Sequence, residues 1–151
     1  MKAKKTWQEK LLDSKGLPKT GPIDGNMSKR WGTGTMVIPA PIEVDELMRR
    51  VPKGKLITIN ELRAALAAKH KVSMACPITT GIFAWIAAHA AEETSGKTPY
   101  WRTLKTGGQL NEKYPGGIPS LCRKLKAEGH QIVKKGKRHL VTDYEQALAR
   151  L

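Results

Sequence analysis

Residues 98–117, "TPYWRTLKTGGQLNEKYPGG", form the most unusual stretch of this chain. Pro99 is followed by two bulky aromatic residues and Arg102, and then by a glycine-rich run. Glycine and proline at this density predict a loop, because they favour turns and interrupt helices. Aromatic side chains at the entrance of a loop either pack in the core or stack on a ligand. Tyr100 and Trp101 are therefore candidates for both roles.

Helices are predicted on the N-terminal side of this loop. A short amphipathic helix is indicated between Val44 and Val51, followed by "VPKGK" and a short strand, "LITI". Asn60 can cap a second helix, "NELRAALAAKH", and a third is predicted from about Pro77 to Ala90. Two helices joined by a short turn, the first preceded by a strand, predict a helix-turn-helix.

A helix and a hairpin are predicted on the C-terminal side of the loop. Pro119 can open a helix that ends at Gly129, and "HQIVKKGKRHLVT" reads as two short strands around a Lys-Gly turn. A basic hairpin beside a helix-turn-helix is typical of a winged helix. We therefore expect a mainly α protein with a small β component, a winged helix-turn-helix.

The charge of the chain indicates a polyanionic partner. It has 27 Lys+Arg against 13 Asp+Glu in 151 residues, a formal net charge of +14 and a pI near 10.0. Nucleic acid is the simplest such partner, and a basic protein without a specific acidic partner is the alternative. Cys76 and Cys122 lie far apart without companion ligands, so no metal site and no cofactor are expected. No apolar run or secretory signal is evident, which predicts no membrane contact and a cytoplasmic location, nucleoid-associated in a bacterium.

The organisation of the chain changes near residue 40. Residues 1–40 combine many lysines with glycine and proline, and we expect a basic, largely irregular N-terminal arm with a short helix at 6–13, and with Trp7 and Trp31 packing some of it down. Residues 41–151 are expected to form the winged-helix DNA-binding domain.

The order of these elements resembles a known family. "VPKGKLIT..EL...LA", "TTGIFAWIAA", "PYWR", "GG.LN....GG" and "LCRKLKAEGH" follow one another as in the C-terminal DNA-binding domain of the alkylguanine-DNA alkyltransferases. The sequence is also similar to their catalytically dead relatives, the alkyltransferase-like proteins. The resemblance covers roughly residues 40–133. It implies a helix-turn-helix in the minor groove and a damaged base flipped into a pocket lined by a Pro-Cys-His-Arg loop.

The resemblance assigns roles to five residues. Pro99 and Arg102 match the proline and the arginine of the loop. Tyr100 occupies the position of the acceptor cysteine, and Trp101 occupies the position of the histidine. Glu128 matches a glutamate that acts with the histidine and a water. A phenol with a pKa of about 10 is a poor alkyl acceptor, so alkyl transfer is not expected.

Other features of the family pattern are missing. The recognition-helix arginine, which takes the place of the flipped base in the family, is replaced by Ile78, and the hinge asparagine by Ala87. Tyr100 and Trp101 either stack on an extruded base or fill the vacated pocket as core. The predicted base pocket comprises Pro99, Tyr100, Trp101, Arg102, Asn60 and Asn111, although either asparagine could instead be a cap or turn residue. The predicted DNA contacts are Lys53, Lys55, Thr79, Thr80, Gly81, Lys134, Lys135, Lys137 and Arg138.

Two functions compete for this pocket. We favour a monofunctional DNA glycosylase that hydrolyses the bond to a small base such as uracil, with Glu128 orienting the water and Glu43 and Asp45 as reserve carboxylates. The alternative is a non-enzymatic alkyltransferase-like sensor that binds alkylguanine and recruits another repair pathway. A winged-helix regulator ranks last. In each case DNA is the partner and a monomer is expected, and repair proteins are further candidate partners.

Overall fold

The helix-turn-helix and the wing organise this chain. The computed structural model describes residues 6–23, 25–94 and 96–151, without the side chains of 25–27. The helices are α1 (Trp7–Leu12), α2 (Gly25–Trp31), α3 (Pro41–Arg49), α4 (Ile59–His70), α5 (Pro77–Thr94) and α6 (Gly117–Ala127). The strands are β1 (Lys19–Pro22), β2 (Thr35–Ile38), β3 (Ile57–Thr58), β4 (Met74–Ala75), β5 (Thr103–Leu104), β6 (Ile132–Lys135) and β7 (Arg138–Val141). Three 3₁₀ turns lie at Tyr100–Arg102, Thr106–Gly108 and Tyr144–Ala147. The mainly α, winged-helix prediction is confirmed.

The first helix of the helix-turn-helix is capped by Thr58, one position before the helix, and not by Asn60. The Thr58 hydroxyl accepts a hydrogen bond from the Asn60 backbone N–H at 3.1 Å. The Glu61 carboxylate accepts the Thr58 backbone N–H at 2.8 Å, which completes a capping box. Thr58 has an extended backbone, as a cap residue requires, whereas Asn60 is already in the first turn. The Asn60 side chain is therefore left exposed at the surface.

α5 is the central helix of the fold. Its alanine-rich face is buried, with Phe83, Ala84, Ala87 and Ala88 in the main hydrophobic core. α3 packs against this helix through Val44, Leu47 and Met48. Small residues let the neighbouring helices approach closely, and burial of this apolar surface provides most of the stabilisation.

The N-terminal segment is more regular than predicted. α1 lies on α5, where the backbone N–H groups of Trp7 and Gln8 donate to the Glu93 carboxylate at 3.1 Å each. The Trp7 ring stacks on His89 with centroids 4.5 Å apart. β1 and β2 join β4 in a three-stranded sheet, which ties this segment to the helix-turn-helix. Residues 1–5 and 24 of the predicted arm lie outside the described residues, and the division at residue 40 stays a prediction.

The wing is a two-stranded antiparallel hairpin. β6 pairs with β7 in a register that places Lys134 opposite His139 and Lys135 opposite Arg138. The Tyr144–Ala147 turn follows the hairpin, and the residues at the end of this turn and after it pair with Leu56. The Leu56 N–H donates to Ala147 O, and the Ala149 N–H donates to Leu56 O, each at 2.8 Å. Among the described residues, no helix is both long and apolar enough to cross a membrane.

Two adjacent glycines after β5 provide a matched stability test. Gly107 and Gly108 both have positive φ, of 80° and 83°, but only at Gly108 would a Cβ collide with the Tyr144 ring. Gly107→Ala should cost about 1 kcal/mol through backbone strain alone. Gly108→Ala should cost roughly 2–3 kcal/mol, since overpacking is added to that strain. Denaturant unfolding of the two variants measures the difference; equal losses would contradict this packing.

Candidate nucleic-acid interface

Tyr100, at the position of the acceptor cysteine in the family pattern, is a buried core residue. It is 2% exposed, and its hydroxyl donates a hydrogen bond to the Glu92 carboxylate at 3.0 Å. Its ring makes edge contacts with Trp101 and Tyr114, at centroid distances of 5.4 and 6.1 Å. Burial, together with the Glu92 carboxylate, raises the pKa of the Tyr100 phenol well above its ordinary value of 10.0. This oxygen therefore stays protonated and is a poor nucleophile.

Trp101 is covered by cations. Lys124 Nζ lies 4.8 Å from the ring centroid and the Arg102 guanidinium carbon 5.5 Å from it. The buried indole nitrogen has no hydrogen bond of good geometry among the described residues, but it lies close enough to the Glu128 carboxylate to lower that group's pKa. Trp101 thus packs within a charged cluster and does not line the groove described below.

Glu128 is held in a forked ion pair with Arg102. Arg102 Nε lies 2.9 Å from Glu128 Oε1, and Arg102 Nη2 lies 2.6 Å from Oε2. The remaining guanidinium nitrogen, Nη1, donates to Val51 O at 2.7 Å. Burial acts to raise the pKa of Glu128, but the Arg102 hydrogen bonds and charge outweigh it, so this pKa lies below its ordinary value. A carboxylate engaged in this way is a weak base and is not positioned for water activation.

The two reserve carboxylates also have structural roles. Glu43 accepts from Lys69 at 3.0 Å and contacts His70 Nε2 at 2.8 Å, and its other oxygen accepts the backbone N–H before α3. The Asp45 carboxylate accepts the Thr98 hydroxyl at 2.6 Å and pairs with Arg49 at 3.0 Å. None of the three carboxylates predicted for catalysis is available to a substrate.

A groove of about 720 Å³ opens beside the first half of α5. It lies between the start of α4, the first half of α5 and the segment that follows β5. Its lining residues are Ile59, Asn60, Arg63, Pro77, Ile78, Gly81, Ile82, Trp85, Lys105, Thr106, Gln109, Asn111 and Lys113. Of the six predicted pocket residues, the structure brings Asn60 and Asn111 to this groove. Pro99, Tyr100, Trp101 and Arg102 are not among its lining residues.

The predicted DNA-contact residues divide between the surface and the core. The exposed ones are Lys53, Lys55, Lys134, Lys135, Lys137 and Arg138, and Gly81 lines the groove. Thr80 is an exception to the prediction, because it is fully buried and its hydroxyl donates to Cys76 O at 2.6 Å. Thr79 is half-buried, and its hydroxyl oxygen has no hydrogen-bond partner within the described ranges. The turn of α5 thus directs Thr80 inward.

The sequence interpretation missed the outward stripe of α5. Ile78 and Ile82 are 54% and 44% exposed, and with Trp85 they line the groove. Apolar residues at helical spacing are typical of a buried helix face, so the spacing gave no sign that these side chains face a groove. The missed signal is that α5 carries two apolar stripes, and the alanine-rich one is sufficient for the core. The other groove residues that were not predicted as site residues are Ile59, Arg63, Pro77, Lys105, Thr106, Gln109 and Lys113.

Comparison of sequences finds no match, but solved structures of a similar fold are known. No protein-family model matches the sequence, and none of the curated proteins matches it either. The structure superimposes on S. pombe Atl1 in complex with damaged DNA containing O6-carboxymethylguanine, with a TM-score of 0.55 and 16% identity over 74% of this chain and 94% of that one. The fold is that of an alkyltransferase-like protein. A second S. pombe ATL structure, in complex with DNA, matches with the same coverage and TM-score at 13% identity.

The glycosylase prediction is wrong. The two structures with a similar fold are alkyltransferase-like proteins in complex with DNA, and in one of them the DNA is damaged. According to the family resemblance, the alkyltransferase-like proteins lack repair chemistry. The geometry of the site is consistent with this correction. Glu128 forms an ion pair with Arg102, and both reserve carboxylates bind other side chains. None of the residues predicted for catalysis is therefore positioned to activate a water molecule at this loop.

Proposed function

We propose that this chain is a non-enzymatic lesion sensor of the alkyltransferase-like type. It binds duplex DNA carrying an alkylated guanine, leaves the lesion intact and marks it for other repair proteins. The observation that carries the proposal is Tyr100: the loop position that bears the alkyl acceptor in the alkyltransferases holds a buried, hydrogen-bonded phenol. The lesion in the Atl1 complex, an O6-alkylated guanine, supports that class of lesion as the first substrate to test.

The charge of the protein surface supports DNA as the partner. The exposed wing cations and the lysines of "VPKGK" give a basic surface, in a chain of net charge +14. Such a surface favours phosphate contacts, which provide most of the affinity of non-specific DNA binding. The predicted roles of Lys53, Lys55, the wing, Thr79 and Gly81 in DNA binding belong to this proposal, as does binding as a monomer.

The test is a binding and cleavage assay on matched labelled duplexes. The duplexes carry O6-methylguanine, uracil, hypoxanthine or unmodified guanine at one position, and each is treated with alkali after incubation. We expect preferential retention of the O6-methylguanine duplex without strand breaks. Equal affinity for all four duplexes would contradict the sensor function, and strand breaks at the lesion would contradict its non-enzymatic character.

The protein should also keep its mass after contact with alkylated DNA. The Tyr100 phenol is buried and its pKa is raised, so it should not accept an alkyl group. Cys76 is buried at the start of α5 and Cys122 is half-buried on α6, both outside the lining of the groove. Intact-protein mass spectrometry after incubation with O6-methylguanine DNA should show no added methyl group. A gain of one methyl on Tyr100 or on either cysteine would contradict this account.

A further inference from the structure

The segment before α3 is docked on the turn that joins α4 to α5. The Thr35 backbone N–H donates to Ser73 Oγ at 3.1 Å, and the Ser73 N–H donates to Thr35 O at 3.1 Å. The Cys76 N–H donates to Val37 O at 2.9 Å, so the pairing continues to the residue before α5. A Cβ at Gly34 would lie only 2.6 Å from Ser73 Oγ, which shows how closely the chain passes this turn. We call residues 15–23 and 25–40 the extension.

A second hydrophobic core holds α2 in the same place. Its buried residues are Ile23, Met36 and Cys76, and the Trp31 side chain packs against them. Cys76 directly precedes Pro77, the first residue of α5, and Trp31 is the last residue of α2. The partial burial of Trp31 therefore brings the C-terminal end of α2 close to the start of α5.

The surface around this end of α2 is basic. Lys29 and Arg30, in the last turn of α2, are exposed, and so is Lys71, which ends α4 shortly before Ser73. Within the described ranges of the chain, none of these three cations is in an ion pair. The three cations therefore give the surface a positive potential that favours an anionic partner.

We propose that the extension is a second phosphate-contacting surface, in which Lys29, Arg30 and Lys71 bind the backbone of duplex DNA beside the start of α5. The proposal rests on the proposed function, in which Thr79 and Gly81 on the first turns of α5 contact the DNA. A helix that meets the duplex by this end brings the extension next to the flanking phosphates. Contacts to phosphates position a protein on the duplex without reading the bases. The extension thus adds affinity for damaged and undamaged duplexes alike.

Lysine acetylation tests this surface in the unaltered protein. The protein is treated with sulfosuccinimidyl acetate, free or saturated with an unmodified duplex of about 20 base pairs, roughly two helical turns. Mass spectrometry after proteolysis gives the extent of acetylation at each lysine. We expect Lys29 and Lys71 to be protected in the complex, whereas Lys126, exposed on α6, should react equally in both states. Protection of the wing lysines without protection of Lys29 and Lys71 would overturn the second surface.

A charge-matched pair of variants tests the contribution to affinity. In Lys29→Gln/Arg30→Gln, the affinity for an unmodified duplex should fall about tenfold at moderate salt, because two phosphate contacts are lost. The preference for an O6-methylguanine duplex over its unmodified partner should stay the same, since neither residue reads a base. Arg123→Gln/Lys126→Gln removes the same two charges from the exposed surface of α6 and should change the affinity by about twofold at most. Equal losses in the two variants would reveal an effect of net charge alone and would overturn the surface.

The outcomes separate the second surface from the proposed function. A wild-type protein that prefers the lesion, together with a Lys29→Gln/Arg30→Gln variant of undiminished affinity, overturns the surface and leaves the sensor function standing. A wild-type protein that binds all duplexes equally contradicts the sensor function, and a selective loss of affinity in the same variant would still support the surface. A wild-type protein that binds no duplex overturns both.

Discussion

Raising the salt concentration from about 50 to 200 mM should weaken the binding of this chain to duplex DNA by about 10³-fold. Six exposed cations carry this expectation: Lys53, Lys55, Lys134, Lys135, Lys137 and Arg138. Each phosphate contact releases condensed counterions, so the logarithm of affinity should fall with the logarithm of salt concentration with a slope of about −5 for six contacts. Fluorescence anisotropy with an unmodified labelled duplex at four or more salt concentrations measures this slope.

The wing provides the control for that slope. Replacing its four cations by glutamine should reduce the magnitude of the slope by about 3 to 4, because each lost contact contributes about 0.9. The hairpin register should survive, since the wing side chains are exposed and β6 and β7 are joined by backbone hydrogen bonds. A wild-type slope near zero would remove the electrostatic basis of DNA binding. An unchanged slope in the variant would place the contacts elsewhere on the chain.

The parts of the fold that the sequence predicts are those with local signals. The Lys-Gly turn between two short β runs predicted the wing. Apolar periodicity, with Pro77 in the first helical turn, predicted α5. The arrangement of residues 6–40 was not predictable in this way. α1 is held by Glu93 on a distant helix and β2 by a parallel pairing with β4, and neither contact leaves a pattern within the segment itself.

The position of a predicted site residue at the surface follows from polarity for Asn60, Asn111 and the wing cations, whereas their roles in binding stay predictions. It was missed where side-chain direction decides. Helical spacing could not tell that Ile78 faces outward and Thr80 inward, because both lie on the first turns of one apolar helix. The pairing of Arg102 with Glu128, across 26 positions, likewise has no sequence signature, yet it decides that the carboxylate is structural.

Replacing Arg102 by methionine should lower the free energy of unfolding by about 3–5 kcal/mol, the usual cost of leaving one partner of a buried ion pair uncompensated. The Glu128 side chain is only 7% exposed, and three of its contacts with Arg102 measure 2.6–3.2 Å. Loss of the guanidinium also leaves Val51 O without its 2.7 Å donor. Denaturant unfolding monitored by tryptophan fluorescence at pH 7 measures the change.

The double variant Arg102→Met/Glu128→Gln isolates the buried charge, because it removes both members of the pair. It should be less destabilised than Arg102→Met alone, since no unpaired carboxylate remains. The pH dependence gives a second check. The pKa of Glu128 in the folded protein lies below its ordinary value of 4.5, so the pair stabilises the protein above that pH and its contribution is lost as the pH falls through the lowered pKa. Glu128→Gln should therefore lose less stability than wild type on acidification below about pH 4.5. If Arg102→Met instead unfolds at the same denaturant concentration as the wild type, then Glu128 is not held by this arginine in solution. The Glu128 carboxylate would then have no structural role to exclude it from catalysis, and this argument for a lesion sensor over an enzyme would fail.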